Sequence, residues 1–508
     1  MKNVLFFTLE MQGLQEASQI QAACEHIEAG DNVLYVTCGR SLGFCNDNRK
    51  GNHLQCRFCK KRQLARSKKA IKGLNSIHSI DEYTTPDDWQ QANRQQFTFD
   101  TLDELKRITY EDIEIGYGAL SSYVSYTRNI DAKADEIRDY VEDLMRMQIR
   151  MILTFKRIIS SFQPQLMVFH NGRFAEYKPL LGLARKFSID YLCTENLLVS
   201  NGTRCQDNYF NGTPHNVMSR YKNIISTWEA NDDHEDRERT GRQFFENRRN
   251  ARFAGDTIYA KDQKLGKLPQ NWDVKKENIV IFNSSEDEFF AIGSEAENTT
   301  LFKSQLDGIR TLLEHYLSDE NKHFTLRIHP HLKGLPYPYH QNLYRLKYAN
   351  LTIIPPESDV STYALIDACC KVVVFGSTTG VEACYWHKPV INLGYAFYAG
   401  FDVAYVPKTK DELWHFIDTK DLQPKDSQNA LPIGYYFMTD KRPQLNYAKA
   451  YEHREMRSLF GNRYIWHQGY SLLGSEYLYG IWRALMYRFE GRIPGLTKYK
   501  QVPAYYKS

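Results

Sequence analysis

The sequence predicts an α/β protein of two similar halves, each a parallel sheet flanked by helices. Three observations carry this. Short runs of β-branched and aromatic residues alternate with longer amphipathic stretches from the first residues onward. The alternation stops in a polar, charged stretch at about 230–275 and then restarts. Within the restart, the apolar run Lys371-Val372-Val373-Val374-Phe375 breaks at Gly376-Ser377-Thr378-Thr379-Gly380. A helical run with Glu382 on its first turns follows, then a second apolar run from Pro389. Strands that alternate with helices form parallel sheets, and ligands bind at their carboxyl ends.

At 508 residues the chain is long enough for two or three domains with their own cores. An apolar share of 42% and a negative mean hydropathy fit a soluble globular protein. A net charge of +4 over this length does not argue for nucleic-acid binding. No run reaches the roughly 18–20 apolar residues of a membrane span. Residues 1–7 resemble a signal peptide only briefly, because Glu10 interrupts them and no small-residue cleavage site follows. They read as a first buried strand, which makes the cytoplasm the expected compartment. Ten cysteines do not suggest a disulfide scaffold, and a reducing compartment fits them.

In chain order, a strand at 3–8, a helix at about 14–28 and a strand at 32–37 make a βαβ unit. A helix is expected over about 132–161, from Ile137, Val141, Leu144, Met151, Phe155 and Ile158, and Pro164 ends it. A strand at 166–169 runs into His170-Asn171-Gly172-Arg173. Another helix and a strand at 190–193 lead to Thr194-Glu195-Asn196. The stretch 230–275 reads as a linker or excursion rather than a core. Strands at 278–282, 324–328, 351–354, 372–375 and 390–393 then build the second, Rossmann-like half. From about Tyr447 to Tyr506 the pattern is helical and rich in Trp, Tyr and Arg. The expected division is 1–265, 266–445 and a C-terminal helical segment 446–508 that packs back on the first domain.

Free N–H groups and hydroxyls at a helix N-terminus attract anions, so the Ser377–Glu382 turn reads as a nucleotide half-site, with the carboxylate suited to a ribose diol. Arg327 and His329 alternate along the strand before Pro330, so both point to one side, where a guanidinium and an imidazole can bind phosphate. The alternatives are a strand-end salt bridge with a satisfied histidine, and a Glu382 that only complements the helix dipole.

Several elements fall in a fixed order. They are Phe282-Asn283-Ser284-Ser285-Glu286-Asp287-Glu288-Phe289, Arg327-x-His329-Pro330, Gly376-Ser377-Thr378-Thr379-Gly380-Val381-Glu382-Ala383 and Lys388-Pro389-Val390. Together they resemble the bacterial capsule and surface-polysaccharide biosynthesis glycosyltransferases of the two-Rossmann-domain GT-B type. Asn171-Gly172-Arg173-Phe174, Glu195 and Asn211-Gly212-Thr213-Pro214-His215-Asn216 also look like that family, so the resemblance covers roughly residues 160–400. It implies two Rossmann-like domains facing across a cleft and transfer of a sugar from a nucleotide donor held by the second. Arg327, His329, Ser377, Thr378, Thr379 and Gly380, with Ser284 and Ser285, are then the donor-binding residues, and Glu382 holds the ribose. The base belongs to the first domain, with Glu195 the first choice and His170 the second. Asn171 and Arg173 line the acceptor side, where a glycan or lipid-linked glycan binds. No Asp-x-Asp motif follows a strand, so no catalytic metal is expected.

Cys38, Cys45, Cys56 and Cys59 lie in one short stretch, enough thiolates for a closed, structural zinc site, with unrelated reduced cysteines as the alternative. Lys60, Lys61, Arg62, Arg66, Lys68, Lys69 and Lys72 follow with no acid among them. They read as a solvated face or as a contact for an anionic membrane, a charged glycan or nucleic acid. The run Trp482 to Phe489 offers an amphipathic contact or packs on the first domain. Two competing readings stand beside the transferase. One is a nucleotide-sugar 2-epimerase, for which the cysteine-bearing insertion has little purpose. The other is a zinc-anchored basic module for nucleic acid, which leaves the second half unexplained.

Overall fold

The computed structural model is a two-sheet α/β structure. It describes residues 1–9, 14–40, 42–43, 45, 48–57, 59, 71, 73–74, 76–255, 258–297, 300–446, 453–457, 463–467 and 498–499. The basic residues Lys60, Lys61, Arg62, Arg66, Lys68, Lys69 and Lys72 and the stretch 482–489 lie outside these residues.

The first sheet takes β1 (Asn3–Thr8), β2 (Asn32–Thr37), β3 (Ile77–Ser79), β4 (Leu166–His170) and β5 (Asp190–Thr194) in parallel. A small hairpin of β6 (Asn196–Leu198) and β7 (Arg204–Gln206) precedes β8 (Tyr209–Phe210), which closes the edge antiparallel. The order is β3-β2-β1-β4-β5-β8. The second sheet takes β9 (Glu277–Phe282), β10 (Lys322–Arg327), β11 (Leu351–Ile354), β12 (Lys371–Val374) and β13 (Val390–Asn392), all parallel, in the order β11-β10-β9-β12-β13. Both sheets thus run 3-2-1-4-5, the Rossmann order, which reverses beside the first strand. Two such parallel sheets are the α/β architecture that the sequence predicts.

Strand pleating decides how the two sheets are buried. Leu5 and Phe7 point to one face of β1, while Val4 and Phe6 point to the other and meet Ala17 and Ile20 of the helix Leu14–Glu28. In β9, Ile279 and Ile281 point one way, Val280 and Phe282 the other. The Leu5–Phe7 face and the Ile279–Ile281 face belong to one continuous apolar cluster. Each buried Phe or Ile contributes about 1.5–3 kcal/mol. The helix Ala134–Phe162 supplies much of that cluster through Ile137, Val141, Leu144, Ile152 and Phe155. It opens with Asp135 and Glu136 at its positive end and closes on Gln163 in the left-handed region (φ 49), just before Pro164.

Three expectations need correction. The stretch at 230–275 contains the helix His234–Arg249, capped by the Asp233 side chain on Asp236 N–H, with acids in its first turn and Arg248 and Arg249 in its last. Its Phe244 and Phe245, like Ile224 of the preceding helix Val217–Glu229, are buried on the Val280–Phe282 face. The expected boundary at 265 falls after these helices, and Gly241 lets the second one close on Leu431–Met438. A Cβ at Gly241 would meet Leu431 O at 2.7 Å. Within the segment expected to be helical, β14 (His453–Arg457) and β15 (Arg463–His467) form an antiparallel hairpin, as suits the β-forming run Tyr464-Ile465-Trp466. Finally, β10 ends at Arg327, so His329 lies beyond the strand and caps the turn Pro330–Leu332. No described helix is long and apolar enough to cross a membrane.

Candidate functional site

The order reversal of the second sheet places the ends of β9 and β12 side by side, where a crevice opens. A cavity of about 440 Å³ lies there, lined by Asn283 to Ser285 after β9, by Arg327, His329, Pro330 and His331 at the end of β10 and by Gly376 to Thr379 after β12. The β12 turn requires glycine, because Gly376 has φ +84 and a Cβ there would lie 2.0 Å from Tyr395 O. Asn392 Oδ1 accepts from Gly376 N–H (3.0 Å), and Tyr398 OH donates to Ser377 O (2.7 Å). Ser377 Oγ accepts from Thr379 N–H (3.3 Å) and pairs with Thr379 Oγ1 (3.2 Å). The helix Thr379–Tyr385 starts there with no side chain capping it.

Arg327 is the most telling lining residue. It is 3% exposed, and its Nη2 donates to Ser358 O at 3.2 Å. Its Nε and Nη1 are buried with no hydrogen-bond partner, and burial pushes its pKa down to about 10. A buried guanidinium with two unmade bonds calls for an anion. His329 stands beside it. Its backbone N–H donates to Asn283 Oδ1 (2.9 Å), its Nδ1 accepts from His331 N–H (3.2 Å), and its ring meets Tyr259 edge-on at 5.3 Å. With Nδ1 accepting, Nε2 is the nitrogen that carries a proton.

The remaining second-half candidates also reach the cavity, with their side chains engaged. Ser284 Oγ donates to Phe375 O (2.7 Å) and accepts from Gln305 Nε2 (3.0 Å), which ties the β9 and β12 ends together. Ser285 Oγ accepts from Arg128 Nη2 at 3.2 Å. Glu382 is 3% exposed and accepts from Arg248 Nε at 2.9 Å and from Tyr363 OH. Arg248, Tyr259 and Tyr363 were not legible as site residues. Arg248 sits in the stretch read as a linker, and the tyrosines carry no local motif.

In the first half, His170, Asn171 and Glu195 meet at the ends of β4 and β5. Asn171, left-handed at φ 57, donates through Nδ2 to Glu195 Oε1 at 2.5 Å. His215 Nε2 donates to Asn171 Oδ1 at 3.1 Å. Burial, then the charges of Arg173 and Arg220, hold the His215 imidazole well below its usual range, so it is neutral at pH 7. His170 Nδ1 donates to Thr194 O (2.8 Å), and its Nε2 faces Glu195 Oε1 at 3.8 Å. Arg173 joins this group to the cavity, because its Nη1 donates to the carbonyl of Glu288, a lining residue (2.9 Å). The Glu288 carboxylate is disfavoured by burial, but His331 at 3.1 Å holds its pKa below the usual range.

Cys38, Cys45, Cys56 and Cys59 are all described. Among the described residues, no three His, Cys, Asp or Glu side chains gather as a metal-holding group. Cys56 Sγ accepts from Asn48 Nδ2 at 3.0 Å.

Residues 200–423 match the family described as "Capsule polysaccharide biosynthesis protein". No curated protein matches the chain. Among solved structures, the chain is similar to a beta Kdo 2,4 transferase, KpsC of Thermosulfurimonas dismutans. The identity is 14% over 53% of this chain and 78% of that one, with a TM-score of 0.34. The beta Kdo 2,7 transferase of the same KpsC matches at 13% identity over 66% and 89% of the two chains, with a TM-score of 0.33. A UDP-GlcNAc 2-epimerase from Neisseria meningitidis bound to UDP-GlcNAc matches at 10% identity over 86% and 98%, with a TM-score of 0.25.

Proposed function

We propose, from the capsule polysaccharide biosynthesis match over residues 200–423 and the anion-ready cavity within it, that the chain is a glycosyltransferase of surface-polysaccharide synthesis. The observation that carries this reading is Arg327, a buried cation with two unmade hydrogen bonds at the order reversal of a parallel sheet. In the reading, the cavity takes a nucleotide sugar. Arg327 and His329 hold its phosphate, beside the Ser377–Gly380 turn and the Ser284–Ser285 loop. Glu382 serves the ribose, either directly or through Arg248, which it binds.

The acceptor is a glycan or lipid-linked glycan hydroxyl on the first-half side, beside Asn171 and Arg173. Glu195 removes the hydroxyl proton as the oxygen attacks the anomeric carbon. The bond from that carbon to the phosphate oxygen breaks, and the nucleotide leaves with the electron pair. The Arg327 and His329 donors then oppose the charge that grows on it. Asn171 fixes one Glu195 oxygen and His170 flanks it, which makes His170 the second choice for the base.

A panel of nucleotide sugars, tested for binding and then for transfer to glycan acceptors, checks the proposal. The expected result is binding of one class of donor and acceptor-dependent release of its nucleotide. Conversion of a nucleotide sugar to its 2-epimer with no acceptor would replace the transferase with an epimerase. Metal independence belongs to the same proposal, and undiminished transfer in EDTA supports it. Zinc on Cys38, Cys45, Cys56 and Cys59 is a proposal from sequence spacing alone, and elemental analysis decides it. Action in the cytoplasm, with the basic run against an anionic membrane, is likewise proposed, and cell fractionation tests it.

A further inference from the structure

A second polar cavity, of about 360 Å³, lies between the helix Val217–Glu229 and the segment 435–443. Carboxamides and hydroxyls dominate its walls, among them Asn208, Asn223, Thr227 and Asn231, with Lys441 and Arg442 as the cations. Two atoms there are buried with their bonds unmade. The Arg442 side chain is 5% exposed and donates through Nη2 to Asp207 Oδ1 at 2.7 Å, while its Nη1 has no partner. Asn208 donates through Nδ2 to Gln206 Oε1 (2.7 Å), while its Oδ1 has none. A buried donor and a buried acceptor left open in one cavity are completed by a ligand that offers both.

The local charge says which kind. Asp207 alone answers two guanidiniums, Arg442 at 2.7 Å and Arg220 at 3.2 Å, and it also accepts from Asn223 and Tyr436. Lys441 is matched by Asp236 at 2.6 Å. Arg442 Nη1 is left as a charged donor without an acceptor. The cavity also adjoins the proposed reaction centre, because Asp207 N–H donates to Glu195 O at 3.0 Å, and Gln206 N–H donates to Pro443 O at 2.8 Å.

We propose that this cavity is a second carbohydrate subsite, which takes a carboxylate-bearing sugar unit of the uronic-acid type. Its carboxylate binds Arg442 Nη1, and a ring hydroxyl donates to Asn208 Oδ1. The choice of a sugar rests on the glycosyltransferase reading, whereas the preference for an anion rests on the open guanidinium donor of Arg442.

The test is ligand-observed NMR on the full chain with glucuronic acid and with glucose as probes. Glucuronate is expected to bind at least tenfold more tightly than glucose. Thr227→Phe fills the cavity without touching Asp207 and is expected to abolish that binding while leaving nucleotide binding unchanged. Arg442→Gln is expected to erase the preference for the acid; if it fails to fold, Thr227→Phe still decides the matter. Equal binding of the two sugars, no glucuronate binding, glucuronate binding that survives Thr227→Phe, or its displacement by nucleotide would each overturn the proposal. Failure of every nucleotide to bind is a failure of the donor reading and leaves these outcomes as they stand.

Discussion

Glu195 and His329 stand on opposite sides of the proposed reaction, so their substitutions separate chemistry from binding. Glu195→Gln keeps a group that Asn171 can still bond but cannot take a proton. Transfer is expected to fall about 10²–10⁴-fold with nucleotide affinity nearly unchanged. Retained transfer moves the role to His170. His329→Ala removes a hydrogen bond to a charged group, worth about 1.5–3 kcal/mol, so nucleotide affinity should fall roughly tenfold to a hundredfold in a protein that still folds. Calorimetric titration reads this, and unchanged affinity removes His329 from the donor site. A third residue bears on stability. His340 is fully buried, neither ring nitrogen has a hydrogen-bond partner, and burial pushes its pKa down to about 4. Between that value and the ordinary imidazole pKa of about 6.5, the unfolded chain binds the extra proton, so stability is lost as pH falls. The slope from this group is at most about 1.4 kcal/mol per pH unit. Glu286, raised by burial to about 7, has the opposite sign, since its contribution is lost as pH rises from about 4.5 through 7. Urea unfolding of the parent and His340→Leu across pH 4–7 isolates the histidine, because the Glu286 contribution cancels in the difference.

At the scale of elements, the β12 turn is the most constrained piece of backbone. Gly376→Ala combines a left-handed φ with a clash against Tyr395 O and is expected to cost about 1–3 kcal/mol and to weaken nucleotide binding. Gly266→Ala is the control: its φ is +74, but nothing lies within 4 Å of the added carbon, so only the backbone strain remains. Equal losses of thermal stability in both would show that the turn is no tighter than an open loop. This turn was legible in the sequence because β-branched runs, glycine and hydroxyl residues fall at fixed local spacing, and the same is true of β1, the helix Leu14–Glu28 and β2. The helix His234–Arg249 was not. Its polar surface hides the two buried phenylalanines, although its Asp233 cap and its charges at each end were readable signs. The pairing of Glu382 with Arg248 and Tyr363 joins residues 134 and 19 positions away, and no local pattern encodes it.

Across the whole molecule, one buried set of contacts between the halves reaches the rim of the cavity. Arg128 Nε donates to Asp287 Oδ2 at 2.8 Å, Nη1 to His331 O at 2.9 Å and Nη2 to Ser285 Oγ at 3.2 Å. Both members of the Arg128–Asp287 pair are largely buried. Arg128→Met strands the Asp287 charge and is expected to destabilise the chain by about 3–5 kcal/mol. The double variant Arg128→Met/Asp287→Leu should recover much of that loss in urea unfolding. If the double variant is as unstable as the single one, the stranded charge is not the cause.

The apolar cluster that runs from Phe7 to Ile281 has a consequence for anyone wishing to mix and match this protein. The proposed reading gives the donor to the second half, which invites grafting that half onto a different acceptor half. Such a junction does not cut between two finished surfaces. It opens an oily interior, and each fragment inherits half of a jigsaw whose other pieces were shaped with it. Exchange of the loops around the cavity therefore offers a gentler route to new donors than exchange of halves.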